Sequence, residues 1–323
     1  MPDSPLVLVA GPKSAAAFLN AVAEALRSRG SSVSTLLDGS SPADWNRWPE
    51  VAVLVAFAQP CDRAMLGGAS ALRAIVVPSL GFEGVDVHAA SRAGVVVANG
   101  RVEENVQSVA EAAIGLLLMD FYDIPAARNR MSNPSAGSSV PRTTMLRGKT
   151  LGIIGFGGIA REVALRLEAW GVQILAFSRS RITGTGRHVR QVDLDTLLST
   201  SDIVMPLLPL TDGTRHLLDR ARLLRMKEGA TLINLSRGAV IDEAALSSPE
   251  VAARFRAIIL DVFEIEPLPL DSALRALPNA ILTPHEVART AENMRALFDM
   301  AIANVEAVLA GRMPPTAIQR HLL

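Results

Sequence analysis

The sequence predicts an α/β protein made of two doubly wound parallel sheets with a cleft between them. Short β-rich apolar runs alternate with helix-period segments along nearly the whole chain, the pattern of parallel sheets covered by helices on both faces. The run of strands is interrupted once, midway, by a long helical segment and a polar stretch, so there are two series. At 323 residues the chain also exceeds one comfortable core on a prior of ~100–200 residues per domain.

The first series has strands near Leu6–Ala10, Val33–Leu37, Val51–Phe57, Ala74–Pro78 and Val95–Ala98, separated by alanine-rich helices such as Ser14–Arg27. A long helix follows over Glu103–Phe121. The stretch Pro125–Arg147, rich in Ser, Pro and Arg, is too irregular and polar for a strand or an amphipathic helix and reads as a connection. The second series has strands near Leu151–Ile154, Ile174–Ser178, Ile203–Leu208, Thr231–Leu235, Ala257–Asp261 and Ala280–Thr283. The last periodic segment, Thr290–Ala310, is free to return to the first sheet. Domains of 1–100 with 290–323, and of 101–289, are therefore expected. Crossings near Asn99–Glu104 and Ala288–Asn293 would form a hinge.

Composition narrows the function classes. With 32 basic and 32 acidic residues there is no positive excess for nucleic acid and no basic run for a membrane surface. The longest wholly apolar stretches, such as Ile114–Met119, fall far short of a membrane span, and Leu6–Ala10 is too short for the apolar core of an export signal. One cysteine, Cys61, rules out an internal disulfide framework, and no Cys/His cluster has zinc spacing. A cytoplasmic protein with a small-molecule ligand and no metal is expected.

Gly155-Phe156-Gly157-Gly158-Ile159-Ala160 follows the apolar run Leu151–Ile154 and opens the helix Arg161–Trp170. This is G-x-G-x-x-A in the strand–turn–helix setting of a Rossmann dinucleotide-binding domain. Gly155 permits the tight turn, Gly157 lets a pyrophosphate approach the backbone, and Ala160 allows close helix–strand contact. The helix N-terminus then offers unpaired N–H groups to the phosphates. A glycine-rich turn that binds nothing is disfavoured because a second strand, Ile174–Ser178, follows at the right distance.

That strand ends at Ser178, where an NAD-binding protein usually presents an acid to the ribose 2′-hydroxyl. Ser178, Arg179, Ser180 and Arg181 form a hydroxyl and guanidinium set suited to a 2′-phosphate. NADP is the preferred cofactor on this reading and NAD remains open, since the same residues could be a basic surface turn.

Several segments resemble the D-isomer-specific 2-hydroxyacid dehydrogenases, which include glyoxylate/hydroxypyruvate reductases, D-lactate dehydrogenases and phosphoglycerate dehydrogenases. They are Leu72–Asp86, Ser108–Glu111, Gly148–Ala160, Pro209–Thr214, Met226–Leu246, Asp261–Pro269 and Leu277–Ala288. Any one is weak, but their order and spacing together are specific, and NADPH-dependent glyoxylate/hydroxypyruvate reductases are nearest in character. The resemblance implies a Rossmann domain beside a flavodoxin-like substrate domain, and hydride transfer between a nicotinamide and a small 2-oxo acid to give a D-2-hydroxy acid.

Carried over by position, the resemblance makes Arg237 the group that binds the substrate carboxylate and polarises its oxo group. A permanently charged fork of N–H donors suits that task. His285 becomes the acid/base and Glu266 its carboxylate partner, which favours imidazolium and so raises the histidine pKa. Asp261 and Pro209 fall at the cofactor, Asp261 at its nicotinamide end. Ser79-Leu80-Gly81 matches the turn whose N–H groups receive the substrate carboxylate, and Phe57 with Leu80 suggests a partly apolar pocket. Ser79 replaces the usual glycine, and Glu286–Arg289 replaces a small apolar run. His88, His188, His216 and His321 read as ordinary polar residues.

Glu266 argues against formate dehydrogenases, which pair the histidine with glutamine, and Leu80 against phosphite dehydrogenases, which carry lysine there. A phosphoglycerate-type or bulky 2-oxo acid dehydrogenase stays open, although the chain's end leads us to expect no extra regulatory domain. A non-catalytic NAD(P)-sensing corepressor is the alternative from another class, disfavoured by the lack of a long low-complexity tail. The resemblance also implies a homodimer, with Glu103–Phe121 as the expected interface.

Overall fold

The computed structural model describes residues 4–133 and 143–319. It divides into two compact units, Met1–Asn105 with Thr290–Leu323, and Val106–Arg289.

The first unit is a five-stranded, wholly parallel sheet in the order β2-β1-β3-β4-β5. The strands are β1 (Leu6–Ala10), β2 (Ser32–Leu36), β3 (Val51–Ala56), β4 (Ala74–Val77) and β5 (Val96–Asn99). β1, β3 and β4 are buried throughout, because helices cover both faces, so they read as unbroken apolar runs. Helix α1 (Ala16–Ser28) buries Leu19, Val22, Ala23 and Leu26, a stripe at helical spacing, in a core shared with Ile302 and Val305 of the final helix, Ala291–Leu309. The other face is closed by Trp48, by α2 (Arg63–Gly67) and by α3 (Val87–Arg92), whose N-termini are capped by Asp62 and Asp86.

The second unit begins within α4 (Glu103–Phe121) and continues through α5 (Ile124–Ser132), β6 (Thr150–Ile154), α6 (Gly158–Leu167), β7 (Gln173–Phe177) and β8 (Val189–Gln191). It goes on with α7 (Leu194–Thr200), β9 (Ile203–Pro206), α8 (Arg220–Arg225), β10 (Thr231–Asn234), α9 (Glu243–Leu246), α10 (Pro249–Ala252), β11 (Ala257–Leu260) and β12 (Ala280–Leu282). Its parallel sheet has the order β12-β11-β10-β9-β6-β7-β8. The order reverses at β6, and the crevice outside the carboxyl ends of strands at such a point is where open α/β sheets bind ligands. Gly152 interrupts β6 because α7 packs directly on it: a Cβ there would collide with Leu197 and Ser201.

Two elements differ from the reading above. The stretch Pro125–Arg147 is not wholly irregular, since α5 occupies its beginning. Pro125 sits in the first turn, where a missing N–H costs nothing, but no α5 residue is buried, so no apolar periodicity marks it. Residues 134–142 of that stretch lie outside the described residues. Strand β8 went unread because its three residues, Val189-Arg190-Gln191, are half-buried to exposed and lie at the sheet edge.

The C-terminal end of α4 is pinned to the second sheet by Asp120, whose Oδ2 accepts the Thr231 hydroxyl at 2.9 Å and Arg256 Nε at 3.2 Å. Arg256 also donates to the Asp120 carbonyl at 2.9 Å and lies over the Phe121 ring at 5.2 Å. Removing one partner of a buried pair leaves an uncompensated charge, worth about 3–5 kcal/mol when burial is complete. The two side chains keep 10% and 18% exposure, so Asp120→Ala is expected to cost about 2–3 kcal/mol in urea unfolding. A loss below about 0.5 kcal/mol would show that the pair contributes no more than a surface bridge.

Candidate active site

The turn after β6 is shaped by its glycines. Gly155 has φ +89°, donates its N–H to the Phe177 carbonyl at 2.8 Å, and lies so close to the Leu207 carbonyl oxygen that a Cβ would stand 2.5 Å from it. Gly157 is the N-cap of α6. No side chain caps that helix, and nothing lies within 4 Å of where a Gly157 Cβ would project. Open space over unpaired N–H groups at a helix N-terminus fits a pyrophosphate. Ala160 is buried, and Phe156, Gly158 and Ile159 complete the turn, with the Arg161 guanidinium 5.4 Å over the Phe156 ring.

Beyond β7, Ser178 is half-buried while Arg179, Ser180 and Arg181 are exposed. No acid stands at the strand end, and Ser178 Oγ accepts the Ser180 N–H at 3.3 Å. Pro209, past β9, is exposed and its carbonyl accepts the Thr214 hydroxyl at 2.8 Å.

Three strand ends supply the remaining groups. At the end of β10, Asn234 is fully buried. Its Oδ1 accepts the N–H and hydroxyl of Ser236 at 3.0 and 2.8 Å, and its Nδ2 donates to the Arg237 carbonyl at 2.9 Å. The loop carrying Arg237 is thus fixed, and Arg237 Nη1 donates to the Ser236 carbonyl at 2.6 Å, which directs the fork. Gly238 packs on the next loop so closely that a Cβ would overlap the Phe263 carbonyl.

Glu266 bonds on two sides: Oε1 accepts the Phe263 N–H at 3.0 Å and Oε2 lies 2.7 Å from His285 Nδ1. A carboxylate can only accept, so Nδ1 carries the proton and Nε2 is the nitrogen left to exchange one. His285 itself takes φ +56°, a left-handed backbone unusual for a non-glycine residue. Asp261, just past β11 and buried, holds that conformation: it accepts the Thr283 hydroxyl at 2.6 Å and the N–H groups of Glu286 and Val287 at 3.0 and 3.4 Å.

The electrostatics match this geometry. The hydrogen bond that His285 donates to Glu266 raises the His285 pKa most; burial opposes it, the charges of Glu266 and Asp261 add to it, and Arg237 subtracts. Burial pushes the Glu266 pKa up, but His285, the Phe263 N–H and Arg237 outweigh it and hold Glu266 below the usual range. Asp261 moves the other way, raised by burial beyond what its hydrogen bonds recover.

In the first unit, Ser79 Oγ donates to the Gly81 carbonyl at 2.8 Å and the Leu80 carbonyl accepts Asn99 Nδ2 at 2.7 Å. The N–H groups of Leu80 and Gly81 find no partner among the described residues. Phe57 is half-buried beyond β3.

Sequence reasoning named Arg237, Glu266 and His285 and passed over the residues that fix their loops: Asn234, Thr283 and Gly238. It also passed over a clasp in which the Glu243 carboxylate accepts the Glu264 N–H at 2.5 Å and the Glu264 carboxylate accepts the Glu243 N–H at 3.0 Å. His216, read as an ordinary polar residue, has φ +48° and places Nε2 3.2 Å from Glu264. The available signal was the spacing of Asp242-Glu243 ahead of a short helix, a capping pattern. His321 lies outside the described residues.

Comparison with known proteins defines the class. Residues 114–286 match the model of the D-isomer specific 2-hydroxyacid dehydrogenase NAD-binding domain. A hydroxypyruvate reductase of Thermotoga maritima is 38% identical over 251 residues, 76% of this chain and 81% of that protein. A D-3-phosphoglycerate dehydrogenase of Mycobacterium tuberculosis is 36% identical over 272 residues, 83% of this chain, which spans about half (51%) of that relative's length. The solved structure of an NADPH-dependent glyoxylate/hydroxypyruvate reductase of Sinorhizobium meliloti, in complex with citrate, superposes with a TM-score of 0.84 at 26% identity, covering 97% of each chain. The chain belongs to the D-isomer specific 2-hydroxyacid dehydrogenase family and is an oxidoreductase with an NAD-binding domain.

If His285 is the proton donor, the rate of reduction should be full at low pH and fall as pH rises through the elevated histidine pKa. In Glu266→Gln the inflection of the kcat/KM profile should move to lower pH, because the charge favouring imidazolium is gone. An unshifted profile would remove Glu266 from the site. His285→Ala should lose roughly 10²–10⁴-fold in turnover while still binding cofactor, as read by quenching of protein fluorescence.

Proposed function

We propose that the chain reduces a small 2-oxo acid to the D-2-hydroxy acid, preferring NADPH, and that glyoxylate and hydroxypyruvate are the first substrates to test. The observation that carries this is the 2.7 Å His285–Glu266 pair beside Arg237, whose charge acts on both. The substrate names are those of the relatives above.

In this reading the Arg237 fork takes the substrate carboxylate and draws electron density toward the oxo oxygen. A bound nicotinamide would supply the hydride. His285 Nε2 gives that oxygen its proton, and Glu266 stabilises the imidazolium beforehand. Asp261 acts through the loop it holds. Its buried carboxylate is spent on Thr283, Glu286 and Val287, so we assign it to positioning His285 as well as to the nicotinamide end. Leu80 and Gly81 are assigned to the carboxylate through their N–H groups, with Phe57 and Ser79 shaping that end of the substrate.

NADPH preference rests on Ser178 in place of an acid, with Arg179, Ser180 and Arg181 exposed beside it. A cytoplasmic location suits the single cysteine, Cys61, which is buried and whose thiol pKa is pushed up to about 12 by burial. For a homodimer, the apolar side of α4 serves its own unit, with Val109, Ile114, Leu117 and Phe121 buried. We assign the interface instead to the exposed apolar side chains that follow, Tyr122, Ile124, Met131 and Met145. Sedimentation should show a dimer that Met131→Asp weakens; a monomer for the unaltered chain would overturn that assignment.

The deciding experiment is NAD(P)H oxidation with glyoxylate, hydroxypyruvate, pyruvate and phenylpyruvate. Cofactor binding without turnover on any of them would sink the reductase reading. Arg237→Lys keeps the charge and loses the fork, so it should remain severely impaired; retained activity would show that charge alone suffices. A higher kcat/KM with NADH than with NADPH in the unaltered protein would overturn the cofactor preference.

A further inference from the structure

The turn between β7 and β8 is held more firmly than an exposed turn requires, and one side chain does most of the holding. Gln191, on β8 in register with Ala176 of β7, donates from Nε2 to the carbonyls of Ser178 and Ser180 at 3.1 and 3.0 Å. Its Oε1 accepts the Ile182 N–H at 2.9 Å. One residue further on, Arg161 of α6 donates to the Thr183 carbonyl at 2.8 Å.

Each of these bonds is exposed and adds little to global stability. Their joint effect is conformational. With the carbonyls of Ser178 and Ser180 drawn toward Gln191, and the Ser180 N–H on Ser178 Oγ, the Ser178 hydroxyl hydrogen remains to donate and the Arg179 side chain is exposed. A turn already in its binding conformation does not lose that freedom when a ligand arrives.

We propose that Gln191 is a positioning residue for cofactor selection, holding Ser178–Ile182 in the shape that presents Ser178 and Arg179 to the 2′-phosphate of NADP. This rests on the NADPH reading above and adds the residue that makes it work. Gln191 touches no cofactor atom in this scheme; its effect passes entirely through the turn.

The test compares unaltered protein with Gln191→Met, which keeps the length and loses all three bonds, and Gln191→Glu, which can still accept from Ile182 but turns both donors into repelled acceptors. KM and kcat are measured with NADPH and with NADH. In Gln191→Met the KM for NADPH should rise about threefold to tenfold, the scale of one added ordering cost. The KM for NADH should rise less, because no phosphate is gripped there, and kcat at saturating cofactor should change less than twofold. Gln191→Glu should exceed Gln191→Met in its effect on NADPH. Unaltered protein that prefers NADPH, with the same NADPH to NADH ratio in Gln191→Met, would overturn this inference alone. Unaltered protein that prefers NADH would overturn the cofactor reading and the inference with it.

Discussion

Buried Asp261 is the constraint on which the chemistry of the second unit depends. An unsatisfied carboxylate at 3% exposure would be prohibitively costly, so it draws in whatever donors can reach it. Those donors are the Thr283 hydroxyl and two N–H groups on either side of the β12 turn, and satisfying them forces the backbone at His285 into the left-handed region. A non-glycine residue there stores strain that persists only where its surroundings over-determine it. The surroundings here are Asp261 and Glu266, and among the described residues the imidazole Nε2 has no hydrogen-bond partner.

The two carboxylates near His285 are sorted by what they accept. Glu266, 37% exposed and bonded to the imidazole, stays ionised with a lowered pKa; Asp261, deeper and bonded mainly to neutral donors, has a raised one. That division keeps the charge that matters next to the proton-carrying ring. The loop bearing Glu266 is itself secured from two directions, by Gly238 pressed on Phe263 and by the Glu243–Glu264 clasp. The clasp brings acids together, and burial with the charges of Glu264 and Glu266 raises the Glu243 pKa. Each carboxylate of the pair nevertheless accepts the other's backbone N–H, so neither is left unpaired, and His216 adds a compensating contact to Glu264.

Which parts were legible in the sequence follows from burial. Central strands such as β1, β3 and β11 were placed within one or two residues because both faces are covered and apolar runs are long. Where the reading ran past the strand ends, to Phe57, Ser178, Leu235, Asp261 and Thr283, the structure has already left the strand for a loop. Those overshoots mark the carboxyl ends, which carry the candidate site. The unburied helix α5 and the short edge strand β8 left no apolar pattern to read. The contact of Glu266 with His285 and the placement of Arg237 just past β10 were legible through the order and spacing of the family resemblance. Asn234 and Thr283 were not, because a polar residue near a strand end looks the same whether it orders a loop or merely faces water.

That blindness extends to Gln191, the residue to which we assign the shape of the β7–β8 turn. Gln191 sits on the least buried strand of the sheet, where sequence pattern is weakest, and nothing about a lone glutamine announces three hydrogen bonds to one turn. The cofactor selectivity we propose for that sheet edge has a physical logic. The residues we propose as the reacting groups follow β10, β11 and β12, and a change there would disturb Asn234 or Asp261, which hold their loops. The β7–β8 turn lies at the opposite edge of the sheet from β12 and is held by exposed bonds worth little to the fold. On the cofactor reading proposed above, its shape and charge can therefore change, and cofactor choice with them, while the geometry of His285, Glu266 and Arg237 stays as it is.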